Sequence, residues 1–184
     1  MEERELIDAA KQGDRRAFEG LIRLHEDRVF TICSGVIRNR ELALDATQET
    51  FITLYRKLDR FDGDSAFSTW LYRVTTNTCY DVLRRAKRHL AAPLPEFHDP
   101  ADIGAQDDLD AVDLRPALAD ALASLPEGFR AAVVLSDMEG LPIAEIASIL
   151  EVAPGTVKSR VFRGRRLLAE HLGNQSDPDE RPTR

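Results

Sequence analysis

An acid-free run of cations stands out in the last third of the chain. From Thr156 to Arg166 the sequence carries Lys158, Arg160, Arg163, Arg165 and Arg166 and no carboxylate. Five like charges on one short helix repel one another, and duplex phosphates relieve that repulsion while releasing counterions. Ahead of the run come Ile143, Ile146, Ala147 and Leu150 at helical spacing, then the turn Glu151-Val152-Ala153. Pro154 follows, a favoured first helical residue. Helix, tight turn and helix form the helix-turn-helix pattern, whose second helix aims its N-terminal residues at base edges.

A second basic cluster, Arg84-Arg85-Ala86-Lys87-Arg88, ends a helix that also carries Tyr72, Arg73, Asn77 and Tyr80. Cations at a helix C-terminus suit the macrodipole, so a structural role alone accounts for the cluster. Rings, Asn and Arg on one polar face equally suit unpaired bases, which stack on aromatic side chains. A third grouping is Asp45-Ala46-Thr47-Gln48-Glu49-Thr50-Phe51. Spacings of three and four put Asp45, Gln48 and Glu49 on one polar face, which is also how a solvated helix surface reads.

The net charge of −7 at first opposes a nucleic-acid role, but its distribution removes the objection. Residues 1–91 hold 16 basic and 15 acidic side chains, and residues 114–172 hold 7 of each. Residues 92–113 hold 7 acids and no base, so the acidity is concentrated in one central stretch. That stretch also holds Pro93, Pro95, Pro100 and Gly104, a composition that disfavours a packed core and marks a linker.

The elements that must position these residues read as helices. Asp14 caps a helix with Phe18, Leu21, Ile22, Val29, Ile32, Cys33, Val36 and Ile37 on one face. The next helix is expected to bury Leu44, Thr47, Phe51, Leu54, Tyr55 and Leu58. Phe61-Asp62-Gly63-Asp64 is a loop, and Ser65 caps a helix burying Phe67, Trp70, Leu71, Val74, Thr78 and Val82. Leu114, Leu118, Ala121, Leu122 and Leu125 line a further helix, and Pro126 opens the one with Phe129 and Val133. No period-two run suggests a sheet.

With these residues in view, the chain resembles the extracytoplasmic-function (ECF) group of the sigma-70 family of bacterial RNA polymerase sigma factors. Asp45–Phe51 is similar to the family's region two polymerase-binding motif. Phe67-Ser68-Thr69-Trp70-Leu71-Tyr72-Arg73-Val74, followed by Asn77 and Asp81, is similar to its promoter-melting helix. Leu125-Pro126, Glu145-Ile146-Ala147 and Gly155-Thr156-Val157-Lys158-Ser159-Arg160 are similar to region four. The match covers roughly residues 5–91 and 113–172, with no other sigma domain around them.

The resemblance implies an all-α fold of two small helical domains. Region two would span residues 1–91 and the helix-turn-helix of region four residues 113–172. A flexible acidic linker would join them over 92–112, and residues 173–184 would form a disordered tail. Asp45, Gln48 and Glu49 would dock on the clamp helices of the polymerase β′ subunit, and region four on the β flap. Gly63, Asp64, Ser65, Tyr72, Arg73, Asn77, Tyr80, Arg84 and Arg85 would capture the minus-ten element. Thr156, Lys158, Ser159, Arg160, Phe162, Arg163 and Arg166 would read the minus-thirty-five element. The implied partners are core RNA polymerase, promoter DNA and an anti-sigma factor, in the service of a stress or envelope response. No cofactor is implied. Two residues depart from the family pattern and are expected to soften region four. Glu151 stands where the turn often has Gly, and Gly164 replaces the usual Ala at ~1 kcal/mol in helix stability.

Other classes fit less well. A free-standing repressor or activator explains residues 126–171 but neither Asp45–Phe51 nor the Phe67–Arg88 helix. Gly63-Asp64-Ser65 is similar to a hydrolase nucleophile motif, but no strand precedes it and a capping serine explains it. The four histidines are scattered and form no ligand pattern, so no metal or catalytic residue is expected. Cys33 and Cys79 lie far apart in sequence, match no metal or redox spacing, and read as buried small hydrophobes. The charged start of the chain and the absence of a long apolar run give the expectation of a cytoplasmic protein without membrane insertion.

Overall fold

The computed structural model describes residues 2–91 and 116–175, so the acidic stretch and the tail lie outside the described residues. Every regular element among the described residues is helical. Helix α1 spans Glu3–Lys11, α2 Arg15–Val36, α3 Arg40–Lys57 and α4 Phe67–Ala91, with a 3-10 turn at Leu58–Arg60. Helices α5 (Pro116–Ser124), α6 (Glu127–Val133), α7 (Ile143–Leu150) and α8 (Pro154–Gln175) follow, and α6 runs on into a π-turn at Val134–Met138.

The helix starts follow local chemistry. Asp14 accepts from the amides of Arg16 and Ala17, at 2.8 and 3.3 Å, and Asn39 from that of Leu42 at 2.9 Å. Each satisfies donors that the first turn leaves open. Ser65 does not serve as the cap expected of it. The first helical residue of α4 is Phe67, and the Ala66 carbonyl accepts from the Trp70 amide. The α4 start is held instead by rings: Phe61, Phe67 and Trp70 pack pairwise with centroids 5.3–6.0 Å apart.

Helix α3 buries only part of the stripe its large side chains suggest. Ala43, Ala46, Thr50, Phe51 and Leu54 face the core, whereas Leu44 and Tyr55 are exposed. Small residues line that face because α3 packs against both α2 and α4. The Thr50 hydroxyl donates to the Ala46 carbonyl at 2.7 Å, which lets a polar residue be buried there.

The two groups of helices share one core. Ala131, Ala132, Leu135, Ile146 and Ile149 pack in the same apolar cluster as Leu21, Val36, Leu71 and Cys79. At the centre of this seam lies Arg130, only 9% exposed. Its Nη1 donates to the Val36 carbonyl at 2.8 Å, and its Nη2 to the carbonyls of Ala123 and Leu125 at 2.7 and 2.8 Å. Val36 ends α2, while Ala123 and Leu125 flank the end of α5. One guanidinium therefore satisfies carbonyls at two helix C-termini, where the backbone dipoles favour positive charge. Burial lowers its affinity for the proton, yet it keeps three charge-assisted hydrogen bonds. Beside it, Gly35 lets the π-turn come close: a Cβ there would lie 2.7 Å from a methyl of Val134.

Gly164 has the same kind of reason. A Cβ at Gly164 would lie 2.6 Å from Cγ2 of Val133, so α8 crosses α6 at a distance that only glycine allows. The expectation that Gly164 softens region four leaves out this packing. Glu151, by contrast, does hold a left-handed conformation at φ 53°, ψ 43° without being glycine.

Gly164→Ala is expected to destabilise the protein by ~1–3 kcal/mol through overpacking, despite alanine's ~1 kcal/mol better helix propensity. In a Val133→Ala background the same change should be neutral or stabilising. Urea unfolding of the four members of this double-mutant cycle checks both signs.

Candidate nucleic-acid interface

Helix α8 emerges from the helix-turn-helix with its N-terminal half clear of the core. Val157 and Val161 anchor it inward, and Thr156, Lys158, Ser159, Phe162, Arg163 and Arg166 point to solvent. Phe162 is 70% exposed, an unusual state for a phenylalanine with nothing to pack on. Arg160 is half-buried, its guanidinium lying over Gly128 so closely that a Cβ there would come within 3.3 Å. Arg165 turns away to Asp137, with Nε donating to Oδ2 at 2.9 Å, and holds that carboxyl below its ordinary range. Arg166 pairs along the helix with Glu170 at 3.0 Å. The cations at 158 and 163 are thus left facing solvent beside Thr156, Ser159 and Phe162, a surface suited to phosphates and base edges.

The face of α4 is more occupied than the sequence suggests. Asn77 is exposed, as are Gly63 and Asp64 in the loop before the helix. Gly63 needs its φ of +86°, and the Asp62 carboxylate accepts from the Asp64 amide at 3.1 Å, which fixes a tight, open loop. Ser65 is half-buried at its end. Tyr72 does not share the exposed polar face expected for it; it is 1% exposed. Its hydroxyl accepts from Arg28 at 3.3 Å, and burial raises its pKa against the opposing pull of that cation. Two of the charges acting on Tyr72, Glu139 and Glu145, come from the C-terminal helices. Tyr80 is half-buried, with Arg160 and Glu127 among its charged neighbours.

The covering element is α7. The Thr69 hydroxyl donates to Glu145 Oε1 at 2.7 Å, and Arg73 Nη2 donates to the Ser148 hydroxyl at 3.1 Å. Arg73 also lies 3.7 Å from Glu151. Arg38 meets Asp120 at 3.3 Å, and Lys87 pairs with Glu127. The sequence leaves the mutual orientation of the two units open; in the structure the C-terminal unit sits on the very helix that carries the candidate single-strand residues. Arg84 pairs with Asp81 and Arg85 with Glu49, so these two cations are exposed but partnered within the N-terminal unit.

The acidic face of α3 is open. Asp45 and Gln48 are exposed, and Glu49 is partly so. Sequence reasoning misses its apolar component. Leu44, Ile52 and Tyr55 are 40, 51 and 55% exposed and fall with Gln48 on one helical stripe. The spacing 44, 48, 52, 55 is the signal that could have found it, hidden because Leu44 and Tyr55 also fit a core pattern. Exposed apolar side chains beside Asp45 and Glu49 give this face a mixed apolar and acidic character.

Among the described residues no group of His, Cys, Asp and Glu is arranged to hold a metal, and no helix is long and apolar enough to cross a membrane.

Comparison with known proteins bears on both units. The family description "Sigma-70 region 2" matches residues 21–89, and "Sigma-70, region 4" matches residues 115–168. The chain is 43% identical over 169 residues to the ECF RNA polymerase sigma factor SigM of Mycobacterium tuberculosis, covering 92% of this chain and 84% of that one. It is 32% identical over 183 residues to SigW of Bacillus subtilis, covering 90% and 94%. Among solved structures it is similar to CnrH in complex with the cytosolic domain of CnrY, with TM-score 0.69, 26% identity and coverage of 94% and 97%. It is also similar to the sigma factor RpoE in complex with the anti-sigma factor NepR from Bartonella quintana, with TM-score 0.68, 27% identity and coverage of 85% and 96%.

Removing the guanidinium at the seam should be costly, because it strands carbonyls of both units. Arg130→Met, which keeps the aliphatic stem, is expected to destabilise the full chain by ~3 kcal/mol. Thermal unfolding followed by circular dichroism checks the value. A loss below ~1 kcal/mol would show that the seam does not hold the arrangement.

Proposed function

The chain belongs to the extracytoplasmic-function group of the sigma-70 family, and from that premise we propose which of its faces does what and how its closed packing governs them. It is a transcription initiation factor, not an enzyme, and acts with core RNA polymerase on promoter DNA. Residues 1–91 serve as region two and 113–172 as region four, with 92–112 between them as the segment that spans the polymerase channel.

The observation that carries the residue-level reading is the sorting of the exposed faces. Helix α3 presents Asp45, Gln48 and Glu49 interleaved with Leu44, Ile52 and Tyr55, whereas α8 presents cations with no acid between Thr156 and Arg166. The first face docks on the β′ clamp helices: carboxylates steer the encounter and the apolar side chains supply area that loses water on contact. The second enters the major groove at the minus-thirty-five element, with Lys158 and Arg163 on phosphates and Ser159, Arg160 and Thr156 near base edges. Phe162 is placed to meet a thymine methyl or the sugar wall of the groove. The β flap holds this unit from its other side.

The minus-ten element is taken by the Gly63–Ser65 loop and the polar face of α4, with Asn77 as the direct base contact and Arg84 and Arg85 on the backbone. Arg73 joins only after the seam opens, since Ser148 and Glu151 hold it in the closed chain, where Tyr72 is buried and Tyr80 half-buried. Core polymerase drives that opening by binding the two units at separate places. An anti-sigma factor does the reverse by holding the closed form; the structural relative RpoE is in complex with the anti-sigma factor NepR. The protein works in the cytoplasm, where polymerase is, and serves a stress or envelope response.

Two experiments test this reading. Asp45→Arg with Glu49→Arg should reduce affinity for core polymerase by at least ~10-fold, and Ile52→Asp alone should do likewise, with helicity unchanged. Unaltered core affinity in both variants would remove α3 from the docking surface. Fluorescence anisotropy on labelled promoter duplex, at near-physiological salt, should show weak binding by the free chain and tight binding by the chain with core polymerase. Tight sequence-specific binding by the free chain would contradict the requirement for core polymerase.

A further inference from the structure

We propose that Cys33 and Cys79 are a dithiol that closes to an intramolecular disulfide under hydroperoxide stress, pinning α2 to α4 inside region two. The chain has only two cysteines, separated by 45 intervening residues, and the fold brings their sulfurs to 3.6 Å. Both are 0% exposed, and the Cys79 thiol donates to the Cys33 sulfur. A disulfide needs ~2.05 Å between the sulfurs, so the facing turns need approach by only ~1.5 Å.

The two sulfurs are not equivalent. The donated thiol proton of Cys79 holds Cys33 below its ordinary pKa, against the upward push of burial. Cys79, buried and facing a sulfur that gains negative charge, is pushed up. Cys33 is therefore the sulfur that reacts first. Its thiolate attacks the distal oxygen of a hydroperoxide, the O–O bond breaks, and an alcohol or water leaves, giving a sulfenic acid. Cys79 then loses its proton and attacks the sulfenic sulfur, forming the S–S bond and expelling hydroxide, which takes up that proton as water. The balance is two thiols and one hydroperoxide to one disulfide, one water and one alcohol, or a second water when the oxidant is hydrogen peroxide. Neither sulfur is open to solvent, so the rate follows transient opening of the seam. The same burial shields the product from bulk reductants.

The position gives the bond a consequence. The Cys33 carbonyl accepts from the Ile37 amide at 2.8 Å, closing the last turn of α2, and the Val36 carbonyl in that turn receives Arg130. Cys33 also lies against Thr47 and Thr50, which bracket Gln48 and Glu49 on α3. A covalent link here stiffens the support of both the seam and the polymerase-docking face.

The full chain, reduced and then exposed to millimolar hydrogen peroxide, is analysed by intact mass and by non-reducing peptide mapping. The expected result is a loss of ~2 Da, a Cys33–Cys79 linked peptide, and a rise of ~10 °C in Tm that dithiothreitol reverses. The mapped peptide assigns the pairing without any variant, and Cys79→Val, which preserves an apolar filler, should abolish both the mass change and the Tm shift. Three results would overturn the proposal: both thiols remaining free after hours of exposure, mapped peptides that carry Cys33 or Cys79 as sulfinic or sulfonic acid, or disulfide dimers between chains. A linked peptide with unchanged Tm would equally refute the pinning of α2 to α4.

Discussion

A buried cation hydrogen-bonded to main-chain carbonyls is the constraint on which the rest of this molecule turns. Arg130 lies in the apolar seam between the two groups of helices and is held only by main-chain carbonyls, one from α2 and two from the end of α5. A charge in such a place is costly unless its donors are met. Here the terminal carbonyls of two helices meet two of its nitrogens. The arrangement makes the C-terminus of α2 and the C-terminus of α5 share a single cap, so neither end is satisfied in this way unless the units are together. Gly35 permits the approach, and Thr69, Arg73, Glu145 and Ser148 extend the seam along α4. The contacts at the seam edge are half-exposed and polar, the sort of interface that a partner with two separate footholds pulls open.

From that constraint the functional logic follows. A sigma factor must keep its promoter-reading surfaces from acting without polymerase. In this chain the α3 face proposed to dock on the clamp and most of the N-terminal half of α8 remain open, while Arg73 is bonded to the other unit and Tyr72 is buried against Arg28. Polymerase docking and duplex contact are thus available in the closed chain, and strand capture is not.

Much of this is legible in the sequence, and what is not has common physical causes. The helices, the helix-turn-helix, the Asp14 cap and the exposed cations follow from periodicity and from residues whose chemistry is local. Close helix crossings do not. Gly164 and Gly35 are understood only beside Val133 and Val134, and nothing in their own neighbourhoods names those partners. The inner face of α3 is misread from sequence because hydrophobic size points to Leu44 and Tyr55, whereas tight packing selects Ala43, Ala46 and Thr50. Tyr72 reads as part of an open face because the helix pattern carries no record of the packing that buries it against Arg28. Glu151 is the opposite case: the pattern calls for a left-handed turn, and the residue adopts it although glycine would do so with less strain. The Cys33–Cys79 contact lies beyond any spacing rule, since two helices facing each other bring together residues of arbitrary separation.

If the seam closes the free chain and core polymerase opens it, the distance between the two units must change on binding. Spin labels at Asp62→Cys and Lys158→Cys, in a Cys33→Ala, Cys79→Ala background, place one reporter in the loop before α4 and one on α8. Pulsed dipolar spectroscopy then reads their separation with and without core polymerase. One narrow distance is expected in the free chain and a clearly longer one in the complex, with Arg130→Met broadening the free-chain distribution toward the longer value. A broad distribution in the free chain that keeps Arg130, or the same narrow distance when core polymerase is bound, would contradict a seam that polymerase opens.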